Sequence, residues 1–153
     1  LVSSHIRRLQ DTNEEINTVA IPLFESAIEL AKSYQEHLDE RLQKGFIPPL
    51  YGVPIVVKET FDIRDTPSSA GIKRSGMLHR SSQTSVLVQK LIEAGAIVLA
   101  KTNVGQLLLL NECGNPVYGR SSNPWDNHRS PGGSAEAAAV AVGGAPIALS
   151  SDV

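Results

Sequence analysis

The sequence predicts an α/β fold, a mixed and largely parallel sheet flanked by helices, and three observations predict it. A short apolar run rich in β-branched residues, 53–57 ("VPIVV"), and the segment 96–103 ("AIVLAKTN") read as buried strands. Between them, "TSVLVQKLIEAG" (84–95) carries apolar residues at helical spacing and stops on glycine. Strand, helix and strand joined tightly make a βαβ unit, which is expected to be right-handed with parallel strands.

The remaining elements follow in order. Residues 1–10 read as the end of a helix, and "DTNEEI" (11–16) breaks it. In 21–45, Phe24, Ile28, Ala31, Tyr34, Leu38 and Leu42 recur at threes and fours among Glu and Lys, the stripe of an amphipathic helix of roughly 20 residues. Pro22 suits its first turn and Gly45 its end. "FIPPLYG" (46–52) is a turn-rich link. The first strand closes on Lys58 and Glu59. Residues 60–82 read as loop. Val86, Leu87, Leu91 and Ile92 form the apolar stripe of the next helix. "NVGQLLLL" (103–110) reads as a short helix, and 111–133, with two Asn-Pro steps, as loop. "AEAAAVAVGG" (135–144) is a short helix with almost no charge, hence buried, and "PIALSSDV" (146–153) starts a further strand.

The chain of 153 residues suits one domain, with a helical lead-in over 1–45 and an α/β core over 50–153. At 41% hydrophobic and 20% charged it can bury a core, so its composition excludes intrinsic disorder. A net charge of −2 without a Lys/Arg stripe argues against nucleic acid as a partner. Cys113 stands alone, which excludes an intrachain disulfide and suits a reducing, cytoplasmic setting. No apolar run nears the roughly 18 residues of a membrane span, so membrane association is not indicated, and no signal peptide is recognisable. The chain begins at Leu1 and stops after "ALSSD", so both ends are expected to be cuts.

Two residues stand out for chemistry. Lys58 ends an all-apolar strand. Its stem either lies on the sheet with the amine in water, or the amine is buried, where desolvation disfavours the ammonium and frees a neutral base. Ser134, in "SPGGSAEAAAV" (130–140), is either a helix N-cap after permissive glycines or a catalytic group held by them. The tract has neither the Lys of a phosphate-binding loop nor the Gly-x-Ser-x-Gly of a nucleophile elbow. His5, His37, His79 and His128 are dispersed, without metal-ligand pairing. Cys113 reads as a small buried side chain and Trp125 as a packing anchor.

Taken together, "GVPIVVKE", "AGAIVLAKTNVGQ", "NECGNPVYGRSSNPW" and "SPGGSAEAAAVAVGGAPIALSSDV" resemble the amidase signature family, in order and spacing from 52 to 153. Each piece is weak alone; "QLLLLNECGNPVYG" is most similar to the general amidases and fatty acid amide hydrolases. The resemblance implies that 1–153 is the N-terminal part of one amidase signature domain. It implies an amide hydrolase working through an acyl-enzyme on small-molecule carboxylic or fatty acid amides, with no cofactor and no metal. Its catalytic set is Ser-cisSer-Lys. Lys58 matches the base, Ser134 the relay serine after a cis Gly-Ser peptide, Val153 the first backbone donor of the oxyanion hole, and Leu108 a position that contacts substrate.

Three departures accompany the resemblance. The nucleophile is expected a few residues beyond Val153, so the chain by itself is expected to be an inactive fragment. The glycine–serine tract is two residues short, and Gly105 replaces a usual proline. An inactive or mis-spliced relative and the A-type subunit of glutamyl-tRNA amidotransferase are the alternatives. A nucleotide-binding module is disfavoured, because no Gly-x-Gly-x-x-Gly tract is present.

Overall fold

A strand buried along its whole length, Pro54–Lys58, lies at the centre of the sheet. The computed structural model describes residues 1–73 and 80–152, so His79 and Val153 lie outside the described residues. The elements are α1 (Val2–Ile16), β1 (Val19–Pro22), α2 (Phe24–Glu36), α3 (Leu38–Gln43), β2 (Pro54–Lys58), α4 (Val86–Glu93), β3 (Ile97–Thr102), a 3-10 turn (Gln106–Leu108), β4 (Gly114–Asn115), β5 (Gly119–Arg120), α5 (Glu136–Ala141) and β6 (Ile147–Leu149). The main sheet has the order β1-β3-β2-β6. β2 runs parallel to both β3 and β6, and β1 is antiparallel to β3. The mixed, largely parallel α/β sheet expected from the sequence is therefore present, with α4 as the crossover between β2 and β3.

Side-chain alternation on β2 divides the core in two. Val56 joins Ile6 and Leu9 of α1, Ala27 of α2 and Leu99 of β3 on one face. Ile55 and Val57 meet Val88 of α4 and Ala96 on the other. α1 is held against the end of α5 by polar contacts as well. Arg8 Nε donates to Val142 O at 2.5 Å and the His5 ring bonds Gly143 O at 2.9 Å, which occupies carbonyls a helix end leaves open. The close approach requires Gly144, where an added Cβ would overlap a Leu9 methyl.

Several expectations are corrected. α1 does not end by residue 10 but continues to Ile16, because Val2, Ile6, Leu9 and Ile16 all fall on one buried stripe; Asn17 then caps it in the left-handed region. Pro22 belongs to β1, not to a helix, and an edge strand tolerates it. The single long helix divides at His37 into α2 and α3. The Tyr51 hydroxyl donates to Tyr34 O at 2.8 Å, where a continuous helix would place the Leu38 N–H, and the two rings stack at 4.3 Å. In α4 the buried residue is Val88, whereas Val86 is 71% exposed and Leu87 is exposed too. The helix expected over 103–110 is one 3-10 turn, with Leu107 and Leu108 both at positive φ. Trp125 is 80% exposed and anchors no packing, while Cys113 is buried as expected.

Candidate active site

Parallel pairing sets the site. β2 and β3 finish together, with Lys58 opposite Thr102, and β6 runs alongside β2 through Val57 and Leu149. Their C-terminal ends open on one side, where open parallel sheets place ligands. Lys58 is only 5% exposed, so its stem is packed and its amine is not in bulk water. The amine donates to Ser151 O at 2.7 Å, just past the end of β6.

A cavity of about 380 Å³ lies over this point, lined by Lys58, Leu108, Gly133, Ser134, Ser151 and Asp152 among others. The structure therefore brings together three residues that the sequence singles out separately: Lys58, Ser134 and Leu108. No hydrogen bond among the described residues joins Lys58 to Ser134. A larger cavity of about 420 Å³ lies between α1 and α2, lined chiefly by apolar side chains and by Tyr34 and Tyr51, with Ser3, Lys32 and Gln35 as its other polar residues.

Ser134 is not a helix cap. α5 starts at Glu136 with Ala135 at its N-cap and no side-chain cap bond. Ser134 instead makes an antiparallel bridge with Val104. Gly105 N donates to Gly133 O at 3.0 Å, and Ala135 N donates to Asn103 O at 2.9 Å. No peptide bond among the described residues is cis, which corrects the cis Gly133–Ser134 linkage expected from the resemblance. The two flanking bonds hold the shortened tract against 103–105. They also give Gly105 a role that proline could not fill, because proline has no N–H to donate.

Buried polar groups that the sequence reading passed over surround the site. Glu136, the one charge of α5, is buried and accepts Thr102 Oγ1 at 2.7 Å and Ser150 Oγ at 3.3 Å. It thereby joins the ends of β3 and β6 beside Lys58. Glu59 is fully buried and accepts three donors, the Ser69 and Ala70 N–H groups and the Tyr118 hydroxyl. Lys101 is buried on β3 and donates to Pro67 O at 2.5 Å and Ser68 Oγ at 2.8 Å. Its burial pulls the amine down to about 8, against the opposing pull of Glu59 and Asp62. Burial also pushes the Cys113 thiol up to about 11 and the Tyr118 phenol up to about 12. A lysine in the middle of "AIVLAKTN" was the available signal for Lys101, since a charged residue inside a buried strand requires dedicated partners.

The mixed, largely parallel sheet thus delivers a buried strand-end lysine to a serine-lined cleft. The family model described as Amidase matches residues 1–153, and the chain belongs to the amidase family. Fatty-acid amide hydrolase 2 of Homo sapiens is 33% identical over 160 residues, covering 100% of this chain and 30% of that protein. The putative amidase AmiB2 of Mycobacterium tuberculosis is 35% identical over 156 residues, covering 99% of this chain and 32% of that protein. The solved structure of 6-aminohexanoate cyclic dimer hydrolase is similar with a TM-score of 0.81 and 31% identity, over 97% of this chain and 29% of that one. The chain thus spans about a third or less of the length of the curated relatives it matches. No helix among the described residues is long and apolar enough to cross a membrane.

Proposed function

We propose that the protein carrying this chain hydrolyses carboxylic or fatty acid amides with a Ser-Ser-Lys relay. Lys58 is the base, Ser134 the relay, and the nucleophile a serine a few residues after Val153. The observation that carries this reading is the convergence of Lys58 and Ser134 on one cavity with the segment 150–152 that leads toward the nucleophile.

The chemistry follows from the groups present. The Lys58 amine is fixed by its bond to Ser151 O and, as the base of the relay, takes up the incoming proton. The Ser134 hydroxyl, both donor and acceptor, passes a proton from the attacking serine to that amine. The serine oxygen bonds to the substrate carbonyl carbon. Backbone N–H groups from Val153 onward stabilise the oxyanion. As the C–N bond breaks, the proton returns through Ser134 to the leaving amine. Water then attacks the acyl-enzyme by the same relay and releases the acid. Leu108 and Leu110 give the cavity an apolar wall suited to the acyl portion.

The test is labelling of the full-length protein with a fluorophosphonate, followed by peptide mapping. One modified serine shortly after residue 153 is expected. An intact, unlabelled protein overturns the assignment.

A further inference from the structure

Glu59 follows the proposed base directly, yet its carboxylate serves another part of the site. Its own N–H donates to Thr102 O at 3.1 Å, which continues the β2–β3 pairing. Oε1 accepts the Ser69 N–H at 2.5 Å and the Tyr118 hydroxyl at 3.0 Å, and Oε2 accepts the Ala70 N–H at 3.0 Å. A fully buried carboxylate holding two successive backbone N–H groups fixes that backbone tightly. Lys101 grips the same segment one step earlier, at Pro67 and Ser68.

The segment then acts on the leucine turn. Ala70 O accepts the Leu107 N–H at 2.8 Å. Ala70, Leu107 and Leu108 have φ of 48°, 54° and 60°, left-handed values that side-chain-bearing residues disfavour. Such a conformation persists only where surrounding structure imposes it. The tether from Glu59 through Ala70 meets the turn at Leu107, the first of its two strained residues. The second, Leu108, lines the cavity.

We infer that Glu59 is a positioning residue, acting through Ser69–Ala70 and Leu107 to hold Leu108 and Leu110 where they bind the apolar part of an amide. It governs binding of that part and not proton transfer at Lys58. The inference rests on the amide-hydrolase reading for its ligand, but the tether itself does not depend on it.

Glu59→Gln in the full-length protein tests this. The shape is kept, but in either orientation the amide NH₂ now faces a backbone N–H, that of Ser69 or that of Ala70, donor against donor. Amide hydrogen exchange at Leu107 is expected to quicken at least tenfold, while Val56 and Leu99 exchange as before. KM for a long-chain aliphatic amide is expected to rise five- to tenfold. The kcat and its pH profile, and KM for a two-carbon acyl amide, are expected to stay within twofold. Unchanged exchange at Leu107, faster exchange with unchanged KM, or a fall in kcat with KM kept would each overturn the inference. If the wild-type protein hydrolyses no amide, the functional reading fails and the exchange at Leu107 alone decides the tether. Should Glu59→Gln not fold, Tyr118→Phe removes one of the three donors. It is expected to raise exchange and KM two- to threefold, and no rise in either overturns the inference.

Discussion

The Lys58 amine donates to the carbonyl oxygen of Ser151 across 2.7 Å, tying the end of β2 to the chain leaving β6. The bond does two things. It fixes the amine, and it fixes the segment that runs toward the proposed nucleophile. Lys58→Met keeps the apolar stem and removes the amine. In the full-length protein, kcat is expected to fall by about 10²–10⁴ at neutral pH, the usual share of a positioned base. The deficit is expected to shrink toward high pH, where hydroxide substitutes for the lost base. Rates of amine release from pH 6 to 10 check this. A loss independent of pH means that Lys58 only holds Ser151.

Ser134→Ala separates catalysis from architecture. The backbone around Ser134 is held by the Gly105 and Ala135 N–H groups, and its side chain caps no helix. Loss of the hydroxyl is expected to change unfolding free energy by less than about 0.5 kcal/mol, as for an ordinary surface change. It is expected to lower kcat by about 10²-fold or more if the hydroxyl carries the proton. Urea unfolding and steady-state kinetics on the same sample decide it. A stability loss of about 1 kcal/mol with activity kept is the mark of a cap.

Lys101 predicts a pH dependence of stability with a definite sign. Burial lowers its folded-state value to about 8 from 10.5. Below about 8 both folded and unfolded chains carry the charge, and the cost of burying it is fully present. Between about 8 and 10.5 the unfolded chain binds a proton that the folded chain has lost, so stability rises with pH. Wild type is therefore expected to gain on Lys101→Met by on the order of 3 kcal/mol across that window, at 1.36 kcal/mol per unit. Unfolding midpoints of the two proteins at pH 7.5, 9 and 10.5 measure the difference. A constant gap would mean that the amine titrates alike in both states.

The parts of this fold that were legible in the sequence were those that local chemistry decides. The β-branched run before Lys58 could only bury itself, and the helix stop at Gly95 could only lead into another strand. β1 was not legible. Its four residues belong to a strand only because β3 offers an edge for pairing. The polar web was hidden for the same reason. Glu59 meets Ser69, Ala70 and Tyr118, and Lys101 meets Pro67 and Ser68, through folding rather than proximity in sequence. Ser134 shows the limit from the other side. Its motif was recognisable, but its pairing with Val104 came with flanking bonds to Asn103 and Gly105 that no local pattern encodes.

Gly105 supplies the remaining prediction. The family resemblance favours proline there, yet this chain uses the glycine twice. Its N–H reaches Gly133 O at 3.0 Å, and a Cβ at this position would meet Glu112 O at 2.7 Å. Gly105→Ala adds only the Cβ, so backbone must shift, at a cost of about 1–3 kcal/mol. Gly105→Pro adds the ring and also deletes the N–H, for about 1 kcal/mol more, and it frees the tract that carries Ser134. Alanine is thus expected to lower stability with kcat largely retained, whereas proline is expected to lower stability further and kcat by tenfold or more. Denaturation midpoints and kcat of the two variants distinguish the steric effect from the tether. If proline and alanine behave alike in kcat, the Gly105–Gly133 bond does not hold Ser134 in its working position.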